Sequence, residues 1–492
     1  MDSLISYLEG LEGFFSTIVG GNSAAWLVLL ATFIVAVLFS RYWLGNASAS
    51  PPSLRDPIPY IFNSLEFLFK NERFTHRALS ALKRSHVVKF HLSSKDVYML
   101  SGAPNVQALF SLRELGYEEI FISQVFPKFW RFNKDEVKRF ADDNSGTSRI
   151  PLPGTEATPS ERRYWAARHH VHHDFLGRLD QFQPVVEAFG DQFAKRIGGS
   201  KFPLGEWKTV SVMNMCRNDV ASCAVSTLFG PHMLSLNPGF LDAFWDFDSV
   251  FFNLVLGVPR WMYPRPFNAH DRHLAMINRY LNHALKHFDW DGPDAQASWE
   301  PLFGARICRE LVKWLKDAGF QRKALTGALG SLLFAQNSNS IPTVTWMLME
   351  LSRDALLLQA VRKEIETVHD GGGSRRINMQ RLMTLPLLQS VFTETLRMRM
   401  SLNIIRTLKN PVVVGGYEIP EGSYLQAPVM AAHYDEGVWG RQGHAASEFW
   451  AERHIRYVEI DESGQPGRKR VFQAPDPGTF FPFGTPENPK PP

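Results

Sequence analysis

The tetrapeptide Glu394-Thr395-Leu396-Arg397 (ETLR) carries most of the information on the architecture of this chain, and it lies in a stretch of helical apolar spacing at residues 386–400. On a helix, positions i and i+3 share a face, so the Glu394 carboxylate and the Arg397 guanidinium can pair and reach a third group. Without further context, such a pair is far more typical of a solvated helix surface.

Two later patches belong with ETLR because of their order and spacing. Residues 448–454, EFWAERH, include Arg453, which can join the Glu394–Arg397 pair. Residues 481–484, FPFG, follow further along the chain. The stretch between them and ETLR contains VVVGGYEIPEGSYL, which predicts a strand pair, and HYDEGVWG.

Apolar spacing predicts a body with many helices and with strands near both ends. Helical spacing covers residues 175–197, 324–351, 354–368 and 386–400. Strand hairpins are predicted at 87–92 with 97–100 and at 412–414 with 417–419. This order predicts an α-rich α+β fold and not a series of alternating βαβ units.

The composition is that of a globular protein. Of 492 residues, 45% are hydrophobic and 21% charged, which excludes disorder, collagen and coiled coil as the main architecture. A formal net charge of +4 gives no support for a nucleic-acid partner. Three cysteines are too few for a disulfide framework, so we expect a reducing compartment. Neither a G-x-S-x-G elbow nor a Walker loop is present in the sequence.

The run at residues 24–39, AAWLVLLATFIVAVLF, is almost continuously apolar. Extended to residue 44, it reaches the roughly 20 residues that a membrane-spanning helix needs. A buried core helix and a cleaved signal peptide are the alternatives, and the acidic residues before the run disfavour the signal peptide. Because Arg41 and Arg55 follow the run and no Lys or Arg precedes it, we expect its C-terminal side to face the cytosol.

These features predict four regions. Residues 1–23 form a short lumenal N-terminus, and residues 24–44 form a single transmembrane anchor. Residues 45–60 form a proline-rich hinge, because its closely spaced prolines prevent helix continuation and stiffen the chain. Residues 61–492 form one large domain.

In their order and spacing, these patches resemble the cytochrome P-450 haem-thiolate monooxygenases, from the anchor to about Gly484. HYDEGVWG is similar to the segment that leads into the F-x-x-x-R region of that family, and VVVGGYEIPEGSYL to its strand pair with an Ile-Pro-x-Gly turn. The resemblance implies an α+β, mainly α, cytochrome P-450 fold behind a single N-terminal transmembrane helix. Residues 61–492 would then be a P-450-like domain that is incomplete at its C-terminus.

The resemblance also implies roles for single residues. In the family, the ExxR pair and a later arginine lock together and support the haem side of the core; here these are Glu394, Arg397 and Arg453. Arg406 is similar to the arginine that often meets a haem propionate, so it is the candidate cofactor-binding residue.

The stretch QNSNSIP at residues 336–342 departs from the Ala/Gly-Gly-x-acid-Thr pattern of the family. Asn339 replaces the acid and Ser340 the threonine, and these two are the candidate catalytic residues. The stretch resembles the branch with sterol 7α- and 12α-hydroxylases and prostacyclin synthase. Asn339 can orient a water but cannot cycle a proton as a carboxylate would. Pro342 is expected to kink the helix, unless the motif is a helix N-terminal cap.

The family's axial cysteine, counted from Phe481 and Gly484, falls at Asn488. An amide cannot supply the electron donation of a thiolate, and no metal ligand is assigned. The three cysteines, Cys216, Cys223 and Cys308, lie far upstream. One interpretation is a monooxygenase whose final segment is lost through truncation, mis-splicing or a wrong gene model; the other is a haemless P-450-like binding protein. We favour the first, because the upstream pattern is intact.

The resemblance implies NADPH-driven insertion of one oxygen atom from O2 into a small apolar substrate, such as a sterol, a terpenoid or a secondary metabolite. The implied cofactor is haem b, and the implied partners are the membrane and NADPH-cytochrome P-450 reductase. We expect the endoplasmic reticulum membrane, with the catalytic body in the cytosol. The alternatives are an inactive haemless protein and a peroxide isomerase of the prostacyclin-synthase type. The sequence leaves open the substrate, the regiochemistry and the oligomeric state.

Overall fold

The structure is a computed structural model. It describes residues 50–112, 115–116, 118–197, 208–255, 259–368, 378–460 and 466–484, together with the isolated positions 32 and 205. The predicted anchor therefore lies outside the described residues, apart from Thr32. None of the helices described is long and apolar enough to cross a membrane.

The described part of the chain is mainly helical. The α-helices are α1 Phe62–Phe69, α2 Asn71–Ser85, α3 Ala103–Ser111, α4 Glu118–Ile120, α5 Lys134–Asp142, α6 Tyr164–His172, α7 Leu179–Ile197, α8 Val212–Met215, α9 Ala221–Phe229, α10 His232–Ser235, α11 Phe240–Val255, α12 Arg265–His287, α13 Arg306–Asp317, α14 Arg322–Arg353, α15 Ala355–Glu366, α16 Met379–Leu382, α17 Pro386–Arg399, α18 Val429–His433 and α19 Glu436–Trp439. The π-helical segments are Phe121–Phe129, His173–Gly177 and Cys216–Val220, and the 3₁₀ segments are Ser160–Arg162 and Pro293–Gln296.

The strands are short, and most of them pair antiparallel. They are β1 Val87–Leu92, β2 Lys95–Leu100, β3 Leu115–Gly116, β4 Trp299–Glu300, β5 Gly304–Ala305, β6 Asn403–Leu408, β7 Val412–Val414, β8 Tyr417–Ile419, β9 Tyr424–Pro428, β10 Ile455–Ile460 and β11 Pro466–Phe472. The prediction of a mainly α, α+β fold is confirmed.

The chain divides into two compact units, of which the first comprises residues 1–115 and 408–427. In this unit β1 and β2 form the predicted hairpin, with Val87 opposite Leu100. Strand β9 extends the sheet parallel to β2. The strands β7 and β8 form the second predicted hairpin, where Gly415 and Gly416 take positive φ angles of 60° and 83° that favour glycine.

The C-terminal part of the predicted hinge is ordered in this first unit. The Lys89 N–H donates to the Pro52 carbonyl, and the Leu54 N–H donates to the Lys89 carbonyl, at 2.9 and 2.7 Å. The Asp56 carboxylate accepts from the main chain of Tyr60 and Asn63. Residues 52–54 therefore pair beside β1, because proline lacks only the N–H and its carbonyl can still accept.

The second unit comprises residues 116–407 and 428–492 and contains the large helical core. Its longest helix is α14, with 32 residues, which packs against α12, α13 and α17. The buried residues of this core include many aromatic side chains on the segment Phe121–Phe129 and on α11. The helical predictions for 324–351, 354–368 and 386–400 correspond to α14, α15 and α17, whereas 175–197 is divided into a π-helical segment and α7.

Two carboxylates fix where helices of this unit begin. Glu364 of α15 accepts from the N–H groups of Leu387 and Leu388 in the first turn of α17, at 3.0 and 2.9 Å. Pro386 occupies the first turn, where its missing N–H has no intrahelical partner to lose. Asp354 caps α15 in the same way through its side chain. These caps position α17, which carries ETLR.

Candidate functional site

Glu394 of α17 is at the centre of a buried cluster of charges. Its carboxylate accepts from Arg397 through Nε and Nη2, both at 2.8 Å, as the spacing of ETLR predicts. The Nε of Arg453 donates to the same carboxylate at 2.8 Å. Two further groups complete its shell: the main-chain N–H of Trp450 at 3.1 Å and the Nε2 of His454 at 3.2 Å.

The two guanidinium groups are satisfied by carbonyl oxygens as well as by Glu394. Arg397 donates to the carbonyls of His433, Ala446 and Glu448. Arg453 donates to the carbonyls of Trp439, Ala445 and Glu448. The side chains of Glu394, Arg397 and Arg453 are all 0% exposed, and their hydrogen bonds hold the loop after α19 against α17.

The charge state of the cluster follows from these contacts. Burial alone would raise the pKa of Glu394, but the hydrogen bonds from Arg397 and His454 and the charge of Arg397 lower that pKa to about 2. Burial lowers the pKa of His454, against the opposing effect of Glu394. At neutral pH the cluster therefore consists of one carboxylate, two guanidinium cations and a neutral imidazole.

The candidate catalytic residues Asn339 and Ser340 are exposed on α14. The Asn339 Nδ2 donates to the Ala335 carbonyl at 3.0 Å, and the Thr343 hydroxyl donates to the Asn339 carbonyl at 2.8 Å. Asn339 is therefore held against its own helix, with its amide oxygen still available to accept. The helix α14 continues through Pro342 as one element, although proline has no N–H to donate to the Ser338 carbonyl.

The neighbouring polar residues of α14 connect that helix to other elements. Gln336 donates to the Ala224 carbonyl on α9 at 3.0 Å, and Ser338 donates to the Asp248 carboxylate on α11. Burial raises the pKa of Asp248, against the hydrogen bond from Ser338. Sequence reasoning missed Asp248, because no local pattern relates α11 to α14.

Arg406, the candidate cofactor-binding residue, lies on β6, where its Nη1 donates to the Ile405 carbonyl at 3.0 Å. The segment Phe481–Gly484 lies against the same strand: a Cβ on Gly484 would be 3.5 Å from Ile404 Cδ1. Phe483 is 67% exposed and Ile405 37% exposed. Because successive residues of a strand point to opposite faces, Arg406 shares the face of Ile404, against which Gly484 lies.

The cysteines do not provide a thiolate for such a group. All three are buried, and burial raises the pKa of each thiol. Cys308 donates to the Leu228 carbonyl at 3.1 Å, and Cys216 is hydrogen-bonded with Thr345. Position 488 is Asn and lies outside the described residues. The described residues therefore fit the support of a haem through Glu394, Arg397 and Arg453, whereas none of the three cysteines is placed to supply its thiolate.

Comparison with known proteins defines the class. A model of the cytochrome P450 family matches residues 51–453, most of the chain, including Glu394, Arg397 and Arg453. The chain belongs to the cytochrome P450 family, whose monooxygenase members are oxidoreductases.

Relatives agree with this assignment over nearly the whole chain. Cytochrome P450 monooxygenase calL of Penicillium decumbens is 35% identical over 458 residues, which cover 92% of this chain and 84% of that protein. Lanosterol 14-alpha demethylase of Bos taurus is 24% identical over 418 residues, or 82% of this chain and 76% of the relative. The solved structure of retinoic acid-bound cyanobacterial CYP120A1 has a TM-score of 0.58 at 15% identity, covering 83% of this chain and 82% of its own.

Proposed function

We propose that this protein is a membrane-anchored cytochrome P450 whose family function is the oxidation of a small, bulky apolar substrate of the sterol, terpenoid or secondary-metabolite type, and that this activity depends on a thiol at position 488, where this chain has Asn. Its electrons would come from NADPH through a membrane-bound reductase. Its location would be the endoplasmic reticulum, with the body in the cytosol. The apolar run at residues 24–44 supports the anchor, and the similarity to a lanosterol demethylase supports an apolar substrate.

The buried Glu394 cluster is the observation that carries this proposal. A buried ion network is an expensive way to stabilise a fold, because each charge loses its hydration and packed apolar residues of the same volume often serve better. Here the cluster instead fixes the chain on both sides of Glu448, with every guanidinium group bonded to main-chain carbonyls. Such a network suits the positioning of a cofactor-bearing segment.

A second candidate function follows from Asn488. A P450-like protein without a thiolate would bind an apolar molecule without oxidising it. A peroxide isomerase is a third candidate, because Asn339 stands where the family has a proton-relaying acid.

Restoring the thiol separates the first two candidates. The full chain, Asn488→Cys and the matched control Asn488→Ser would be expressed with a haem precursor and compared by carbon monoxide difference spectroscopy. We expect the thiolate-type Soret band only in Asn488→Cys, followed by reductase-dependent oxidation of an apolar substrate. Failure of Asn488→Cys to bind haem would refute the monooxygenase proposal in favour of the haemless protein. A thiolate band in the unchanged chain would refute our assignment of position 488.

A separate experiment tests whether the transcript also encodes the cysteine-bearing segment of the family. Sequencing the 3′ end of the transcript would show whether a form with an in-frame C-x-G exists, and finding one would exclude the haemless interpretation for that form. The isomerase candidate requires turnover of an organic peroxide without reductase or NADPH. This turnover would be measured with the haem-loaded Asn488→Cys variant.

A further inference from the structure

His433, the last residue of α18, is buried with both ring nitrogens hydrogen-bonded. Its Nδ1 lies 3.1 Å from the carbonyl oxygen of Arg397, at the end of α17. Its Nε2 lies 3.2 Å from the main-chain nitrogen of Phe481, whose N–H donates to the ring. The imidazole therefore stands between the ETLR helix and the segment Phe481–Gly484.

These two contacts select one form of the ring. The Arg397 carbonyl can only accept, so Nδ1 must carry the proton; the Phe481 N–H can only donate, so Nε2 must be free of one. In the other neutral tautomer, the Nε2–H group would face the Phe481 N–H, so that two donors would meet. The bare Nδ1 would face the Arg397 carbonyl oxygen, so that two acceptors would meet. The imidazolium cation would lose the acceptor that Phe481 needs. Only the Nδ1–H tautomer satisfies both main-chain groups.

The surroundings keep this tautomer neutral and fixed. Burial lowers the pKa of His433 to about 4, and the charge of the Arg397 guanidinium acts in the same direction, whereas the hydrogen bond with the Arg397 carbonyl and the charge of Glu394 raise that pKa. The ring stacks on Phe480, with centroids 5.0 Å apart and planes at 16°. The main-chain carbonyl of His433 in turn accepts from Arg397 Nη1 at 2.6 Å. Arg397 and His433 thus bind each other through both main chain and side chain.

We propose that His433 is a positioning residue, which transmits the geometry of the Glu394–Arg397–Arg453 cluster to Phe481–Gly484. In the sequence, position 488 follows Gly484 by four residues. The purpose of His433 rests on the proposed function, whereas its bond to Phe481 is a property of the chain itself.

Two substitutions at this site separate the two bonds. His433→Asn places an amide near the position of Nδ1, so it keeps a donor for the Arg397 carbonyl and loses the acceptor for Phe481. His433→Gln places its amide oxygen near the position of Nε2, so it keeps the acceptor for Phe481 and loses the donor to Arg397. Both variants lose one hydrogen bond and the stacked ring, so a merely structural role would affect them alike.

The readout is hydrogen–deuterium exchange at the Phe481 amide of the full chain, with the amides of α14 as an internal reference. Losing a hydrogen-bond partner of this kind accelerates exchange by about tenfold or more. We expect this acceleration at Phe481 in His433→Asn and near-native exchange in His433→Gln, with α14 unchanged in both. Equal exchange at Phe481 in the two variants, or acceleration spread evenly to α14, would overturn the proposal.

A second measurement links the bond to the cofactor segment. In the Asn488→Cys chain loaded with haem, His433→Asn should reduce the fraction with a thiolate-type carbon monoxide band, and His433→Gln should restore it. An unchanged fraction in His433→Asn would contradict the positioning role. If Asn488→Cys binds no haem, the proposed function fails, but the exchange experiment still decides whether His433 holds Phe481.

Discussion

Replacing Glu394 with Gln keeps the volume of the side chain and removes its negative charge. The change leaves the Arg397 and Arg453 guanidinium groups 0% exposed and without a counter-charge. Removing one partner of a buried ion pair costs about 3–5 kcal/mol, because the remaining charge keeps its desolvation penalty and loses its attraction. We therefore expect the free energy of unfolding to fall by this amount at neutral pH.

The pKa of Glu394 gives an independent estimate. Its ordinary value is 4.5 and its value in the fold is about 2, a difference that corresponds to about 3 kcal/mol. Because the folded pKa is the lower one, the stabilisation is fully present above pH 4.5 and is lost as the pH falls from 4.5 towards 2. The loss is at most about 1.4 kcal/mol for each pH unit.

The assay is urea unfolding of the full chain in detergent micelles, followed by tryptophan fluorescence between pH 7 and pH 3. The matched control is Glu452→Gln, because Glu452 pairs with Arg470 at 3.3 Å and both side chains are more than a third exposed. Such a partly exposed pair contributes about 0–1 kcal/mol. The reasoning is refuted if Glu394→Gln and Glu452→Gln lower the free energy of unfolding equally at pH 7. It is also refuted if the decrease caused by Glu394→Gln does not become smaller below pH 4.5.

Three further predictions use the same unfolding assay. Burial lowers the pKa of His273 to about 3, so below pH 6.5 the unfolded chain takes up a proton that the folded chain does not. This difference lowers the free energy of unfolding by about 1.4 kcal/mol for each pH unit between pH 6.5 and pH 4, and His273→Phe should remove that dependence on pH. Gly327→Ala should cost more than about 3 kcal/mol, because its Cβ would overlap the Trp130 carbonyl, whereas Gly190→Ala has open space on α7 and should gain up to about 1 kcal/mol. Pro342→Ala should raise the free energy of unfolding by about 1–3 kcal/mol, because it returns an N–H donor to the middle of α14; an unchanged midpoint would contradict that expectation.

The local elements were largely predictable from the sequence, because their signals are local. The strand hairpins at β1–β2 and β7–β8 follow from alternating apolar residues with turn residues between them. The helices α14, α15 and α17 follow from the spacing of apolar residues. The sequence gives no such signal for the π-helical segments Cys216–Val220 and Phe121–Phe129, because π-helical turns depend on packing.

The site was predictable only in part. The Glu394–Arg397 spacing defines a shared helix face, and the later Arg453 was expected from the resemblance to join it. The roles of two histidines were not predictable: His433 and His454 lie in the stretches HYDEGVWG and EFWAERH, but neither pattern assigns partners to their ring nitrogens. Their ring nitrogens acquire partners only when α17, α18 and the segment at Phe481 come together.

The sequence by itself determined the family, the positions of ETLR and Arg453, and the absence of a cysteine at position 488, since all three depend on residue identity and spacing along the chain. Only the tertiary structure decided the state of these groups. Whether Glu394 is a solvated surface residue or the buried centre of five donors depends on the burial of its neighbours, because removal from water is what gives each contact its strength.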